Sequence, residues 1–215
     1  PLEVNAKKEA AEEVALRNSI ILSQIRDMLG HITFSAVVVS CGTCNEALHK
    51  VGCEEIFECQ LQDISSFLLN SCKWQDEEKQ NQPVLYHTPC HDSMKGRGVA
   101  SLRRLYNNVL PIANCCSEAG TLALSRPDIA NAMRLRKREQ LEKGLEQLAA
   151  NGNADGAEPF IATNCPSCLT GLGRNRDLGV KPIHIAVLLA NRLSADGSWQ
   201  DELKTIAKEA ERVVF

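Results

Sequence analysis

Aromatic residues are scarce in this 215-residue chain, at 4%. That argues against a stacking surface for single-stranded nucleic acid, which needs a row of exposed rings. An excess of positive charge is missing as well: 24 lysines and arginines stand against 27 carboxylates, a formal charge of −3. No basic field therefore points to nucleic acid or to acidic lipid. No apolar run reaches the ~18–20 residues of a membrane span, and the opening residues 1–8 carry no signal-peptide pattern. Phosphate-binding loops are absent: Gly96 and Gly98 bracket Arg97, but neither GxxxxGK(S/T) nor GxGxxG occurs. No Ser–His–Asp grouping can be argued, and the closely spaced cysteine run of a ferredoxin is not there.

What is present is cysteine. Ten of them sit in a chain that is 44% hydrophobic, enough to bury a globular core. They fall as Cys41-Gly-Thr-Cys44, then Cys90, then the adjacent Cys115–Cys116, then Cys165-Pro-Ser-Cys168, with Cys53, Cys59 and Cys72 apart. Secreted disulfide scaffolds crowd their cysteines into short, loop-rich chains. A long, helix-rich chain with CxxC, CC and CxxC groups reads instead as a binder of iron or zinc.

Periodicity places these groups in an α/β fold. Residues 5–29 form an amphipathic helix, with Val14, Leu16, Ile20, Ile21, Leu22, Ile25 and Leu29 on one face and Gly30 as its stop. Phe34 to Val39 reads as a buried parallel strand that ends at the first CxxC, and residues 45–50 as a short helix. Ile56 and Phe57 suggest another strand, and Asp63 to Leu69 a helix. Polar residues 73–82 read as a linker. Strands are then expected at 84–87, 110–113 and 159–163, each delivering cysteines at its end. Helices are expected at 99–107, 128–150 with Ser125 as cap and Pro127 in the first turn, 182–193 and 199–212.

Two stretches share one order. Residues 5–70 and 128–193 both run long helix, strand, CxxC, apolar helix. The second copy is preceded by about forty-five residues that carry Cys90 and Cys115–Cys116, counted along the sequence; the first has nothing in that place. The expectation is two pseudo-repeated αβα lobes with short parallel sheets, the cysteine site between them or at the strand ends. The lobes would be 1–72, the end of a first repeat, and 83–215, a complete second repeat with a C-terminal helix, joined by 73–82. The chain then reads as a fragment of a longer protein.

At Cys90, Cys115–Cys116 and Cys165-Pro-Ser-Cys168 the chain resembles the cysteine-rich CCG domain family. That family includes the heterodisulfide reductase B subunit and the iron–sulfur parts of glycolate oxidase and D-lactate dehydrogenase systems. Tyr86-His-Thr-Pro-Cys-His91 and Arg126-Pro-Asp-Ile-Ala match as well, and Glu211 to Phe215 fits the family's C-terminus. Ser117 replaces the glycine that usually follows the pair, and the gaps around the pair differ from the usual ones. The resemblance implies the C-terminal part of an FAD-linked oxidase fused to an iron–sulfur oxidoreductase. Its [4Fe-4S] cluster, of the noncubane kind, would be held by all five cysteines. The implied partners are a flavin dehydrogenase domain or subunit, which carries the FAD, and a quinone or other carrier. The implied place is cytoplasmic, including a peripheral one at the inner face of a membrane. Nothing in this chain resembles an FAD-binding module, and no catalytic residue is assigned.

Thiolates are the soft anionic ligands that iron–sulfur clusters need. Neighbouring side chains diverge, so Cys115 and Cys116 suit two irons of one cluster better than a single ion. A tetrahedral zinc site is the competing reading, since CxxC and two more thiolates make a Cys₄ set, and zinc can replace a lost cluster in a purified fragment. Cys41 and Cys44 make a second, incomplete site, as free thiols, a disulfide or zinc ligands. Cys53, Cys59 and Cys72 read as small apolar residues. His87 and His91 flank Cys90 and are candidates for hydrogen bonds to cluster sulfur or for proton delivery. Structural histidines capping local backbone are the alternative.

Overall fold

The computed structural model describes residues 7–74, 78–118, 122–151, 157–194 and 197–209. The chain opens with α1 (Lys8–Met28), β1 (Ala36–Val39), α2 (Gly42–Lys50), α3 (Cys53–Phe57) and β2 (Gln60–Asp63). Next come α4 (Ile64–Ser66), which runs into a π-helical turn over Phe67–Ser71, β3 (Val84–His87) and α5 (Gly98–Leu102). Then follow β4 (Val109–Ile112), α6 (Leu122–Ser125), α7 (Pro127–Ala150), β5 (Phe160–Thr163) and α8 (Pro166–Gly173). A 3₁₀ turn at Arg176–Leu178 leads to β6 (Lys181–His184), α9 (Ile185–Leu193) and α10 (Trp199–Glu209). Among the described residues no helix is long and apolar enough to cross a membrane.

The strands form two parallel sheets. One pairs β1 with β2; the other has the order β4-β3-β5-β6. Alternation along β3 divides the larger sheet into two faces. Val84 and Tyr86 join a core with Leu102, Leu105, Phe160, Ile185 and Leu189. Leu85 faces the other way, into a core with Ile112, Leu141, Leu148, Ile161 and Leu172. Helix α7 covers this second face, where a Cβ on Gly144 would lie 2.9 Å from Leu85 and 3.1 Å from Ile112. The result is an α/β fold with helices on both faces of a short parallel sheet.

The two CxxC segments repeat in detail. Cys41 and Cys165 each occupy the N-cap of a helix in extended backbone, at φ −147° and −132°. Each neighbouring strand, β2 or β6, runs straight into a helix whose cap side chain accepts from a backbone N–H. Asp63 accepts from Ser65, and His184 from Ala186.

Several sequence expectations need correction. Ile56 and Phe57 lie in α3, and the strand is Gln60–Asp63. The helix expected at 182–193 starts only at Ile185, because Lys181–His184 extends the sheet as β6. Ser125 ends α6, and Arg126 holds the N-cap of α7. The helix expected at 99–107 stops at Leu102. Strand β1 is only partly buried, since its sheet has two strands. The apolar face of α1 is present but mostly exposed: Leu22 and Leu29 are half-buried, and none of its residues is fully buried. Gln80, within the expected linker, bridges Tyr106. Residues 5–6, 75–77, 152–156 and 210–215, and with them the family-like ending, lie outside the described residues.

Candidate metal centre

Parallel pairing explains why sequence-distant thiols meet. Strands β4, β3 and β5 are neighbours running the same way, so their C-terminal ends open on one edge, the usual ligand edge of such sheets. Cys90 follows β3, Cys115 and Cys116 follow β4, and Cys165 and Cys168 follow β5. The Cys90 and Cys115 sulfurs lie 3.8 Å apart, and those of Cys116 and Cys168 3.2 Å apart. Cys115 and Cys116 are adjacent and so join the two close pairs, and Cys165 caps the helix that carries Cys168 and is hydrogen-bonded to it. All five candidate sulfurs thus form one linked group, with Cys116, Cys165 and Cys168 buried and Cys90 exposed.

The turn around the pair is shaped by left-handed residues: Asn114 at φ 68° and Ser117 at φ 66°. Ser117 adopts the conformation that glycine favours, and its N–H reaches Cys115 Sγ at 3.4 Å. Helix α8 approaches so closely that a Cβ on Gly171 would sit 2.4 Å from the Cys116 carbonyl oxygen.

Cys116 and Cys168 are hydrogen-bonded sulfur to sulfur at 3.2 Å. The bond with Cys168, helped by the neighbouring His87 ring and the Glu118 backbone N–H, holds Cys116 well below the usual thiol range despite its burial. Bonds to Cys116 and Cys165, together with burial, push Cys168 up. Cys165 is drawn down to about 6, chiefly by its bond with Cys168. Burial, with the charge of Cys115, raises Cys90 to about 11.

The two candidate histidines part ways. His87 is buried at the end of β3, with a ring nitrogen within 4.8 Å of the Cys116 and Cys168 sulfurs. Its Nδ1 meets Lys137 Nζ at 3.0 Å, and its buried Nε2 has no hydrogen-bond partner among the described residues. His91 is half in solvent and pairs with Glu46 of α2.

Lys137 was not anticipated from the sequence. Its ammonium bonds the carbonyls of Ala113 (2.7 Å) and Asn114 (3.2 Å), and only 1% of the residue is exposed. A signal existed: with Leu141, Gly144 and Leu148 it follows the three- and four-residue spacing of the stripe on α7 that faces the sheet.

The first CxxC lies beside this group. Cys41 and Cys44 are hydrogen-bonded to each other, and the charge of Cys165 reaches Cys44. A Cβ on Gly42 would stand 1.6 Å from the His91 carbonyl oxygen, and His184 Nε2 lies 2.9 Å from the Ser40 carbonyl oxygen. Of the remaining cysteines, Cys53 is buried, Cys59 half-buried and Cys72 exposed, so the reading as buried apolar residues suits Cys53 best.

This donor set fits a soft metal or an iron–sulfur group: clustered thiols, one held well below the usual thiol range, and a buried imidazole nitrogen with no hydrogen-bond partner among the described residues. The chain is similar in sequence to part of a reductase. That relative is the B subunit of the fumarate reductase (CoM/CoB) of Methanothermobacter marburgensis, 26% identical over 144 residues. The match covers 63% of this chain and 27% of the relative, so the chain spans about a quarter of the relative's length. No family model and no solved structure matches.

Proposed function

We propose that this chain is an iron–sulfur electron-transfer module of an oxidoreductase, with Cys90, Cys115, Cys116, Cys165 and Cys168 holding one [4Fe-4S] cluster of the noncubane kind. The observation that carries the reading is the 3.2 Å approach of Cys116 to Cys168, with Cys90 and Cys115 3.8 Å apart at the same strand edge. When bound, the cluster supplies a one-electron carrier. The chain's own residues hold the sulfurs at strand ends, keep water from the buried side and place a hydrogen-bonding imidazole against it. Cys90 and Cys115 leave one side open to a partner, beside a cleft of about 470 Å³ lined by Thr88, Ile112 and Asn114.

The partner on this reading is a flavin dehydrogenase domain or subunit that oxidises a D-2-hydroxy acid such as lactate or glycolate. Electrons then pass to a quinone or another carrier. Residues 83–215 form the complete repeat and 1–72 the end of another, with Cys41 and Cys44 as an incomplete second set of ligands. The similarity to a reductase named for CoM/CoB chemistry favours a second reading, in which the same site cleaves a disulfide, as in heterodisulfide reductases.

Anaerobic reconstitution followed by iron and sulfide analysis and EPR tests the module. The expected result is close to four irons per chain; fewer than about three, or tight stoichiometric zinc in their place, rejects it. Electron uptake from a reduced flavoprotein, compared with turnover of a small disulfide, separates the two readings.

A further inference from the structure

The side chain of Lys137 ends in a closed set of acceptors. Its Nζ lies 2.7 Å from the Ala113 carbonyl oxygen, 3.2 Å from that of Asn114 and 3.0 Å from His87 Nδ1. Three acceptors match the three N–H groups of an ammonium, whereas a neutral amine has only two. His87 Nδ1 must then accept, so the imidazole carries its own proton on Nε2. That Nε2 is buried and has no hydrogen-bond partner among the described residues. The ring reaches within 4.8 Å of the Cys116 and Cys168 sulfurs.

We propose that Lys137 is the positioning residue of the thiol site. Its ammonium fixes His87 as an Nε2–H donor aimed at the Cys116 sulfur, and its buried charge raises the reduction potential of the group held there. The first half stands on this geometry alone; the second rests on the cluster reading above.

On this assignment His87 is a donor to sulfur and not a metal ligand. The placement has a clear origin: Lys137 lies one turn before Leu141 on the α7 stripe that faces the sheet, and His87 lies two residues beyond Leu85 on the facing side of β3. None of the bonds found for Lys137 goes to a carboxylate, and a buried lysine without one is rare. Burial pulls the Lys137 ammonium down, and the negative charge of Cys116 is the main influence opposing that pull. A fixed cation and an N–H donor beside sulfur both favour the more negative, reduced state of a cluster. A lysine that only tied the Ala113–Asn114 turn would set neither the tautomer nor the potential.

Two measurements test this. Long-range proton–nitrogen NMR of His87 in metal-free protein is expected to show the Nε2–H form, moving toward Nδ1–H in Lys137→Met. After anaerobic reconstitution, EPR-monitored redox titration is expected to show a lower midpoint in Lys137→Met, about tenfold in the reduction equilibrium, or about 59 mV for one electron. If Lys137→Met does not fold, Lys137→Gln takes its place: it keeps an N–H donor without the charge, so Nε2–H persists while the potential still falls. Nδ1–H in the wild type overturns the positioning role, and a wild-type midpoint in a folded variant overturns the electrostatic one. Wild-type protein that shows Nε2–H yet takes up no iron removes the cluster reading and the potential with it, and leaves the positioning role standing.

Discussion

The sulfurs of Cys116 and Cys168 stand 3.2 Å apart across 52 residues of sequence, joined by a hydrogen bond. The pair joins the loop after β4 to the first turn of α8. Any metal bound at one of these sulfurs is within reach of the other.

Removing either partner should therefore cost more than removing a supporting group. Cys116→Ser or Cys168→Ser is expected to lower iron retention by more than the ~10–100-fold typical of outer-shell changes. Cys72→Ser, at an exposed thiol, is expected to match wild type. Iron and sulfide content after reconstitution and desalting reads the difference.

Gly42 is where the first CxxC helix touches the loop after Cys90. A methyl group there would meet the His91 carbonyl oxygen at 1.6 Å, and backbone cannot move aside as a side chain can. Gly42→Ala is expected to destabilise by about 1–3 kcal/mol or more, with a lower midpoint of thermal unfolding. Gly173→Ala, whose new methyl would meet only Pro182 Cγ at an ordinary 3.7 Å, is the matched control and is expected to hold or raise stability.

Tyr86 is buried and reaches Asn164 Oδ1 at 3.2 Å. Burial, reinforced by Asp92 and Asp63, pushes its phenol far above the ordinary range. The folded state keeps a proton that the unfolded chain releases near pH ~10. Stability from this group is thus full below that pH and declines as the pH rises above it. Denaturant unfolding across alkaline pH should fall more steeply for wild type than for Tyr86→Phe. Equal slopes would count against the buried phenol.

Helices α1 and α7 should answer differently to the same kind of change. Leu16 on α1 is 64% exposed and Leu141 on α7 is fully buried. Leu16→Glu is expected to change unfolding free energy by no more than about 0.5 kcal/mol. Leu141→Ala is expected to cost about 2–5 kcal/mol. Urea titration of both variants decides the matter.

Much of the local order was legible in the sequence. Val84–His87 stands out as an apolar run before a cysteine, and Phe160–Thr163 likewise, because buried parallel strands need no polar alternation. The long α7 was marked by its three- and four-residue spacing and by Pro127. Element ends were harder. Lys181-Pro-Ile-His184 is too short and mixed to separate from the helix that follows, and only pairing with β5 makes it a strand. Ile56 and Phe57 showed the reverse error, since two apolar residues fit a one-turn helix as well as a strand.

The sequence by itself determined the chemistry on offer: soft thiol donors, grouped at strand ends, in an α/β chain with no excess of basic residues and no apolar run of membrane-spanning length. Tertiary structure alone decided the company they keep. Parallel alignment of β4, β3 and β5 brought five sulfurs to one edge. Helix packing set Lys137 behind His87, turned His91 toward Glu46 and drew Cys44 within reach of Cys165's charge. Residue type and local spacing fix what a side chain can bind, whereas its neighbours depend on contacts between segments that no local pattern encodes.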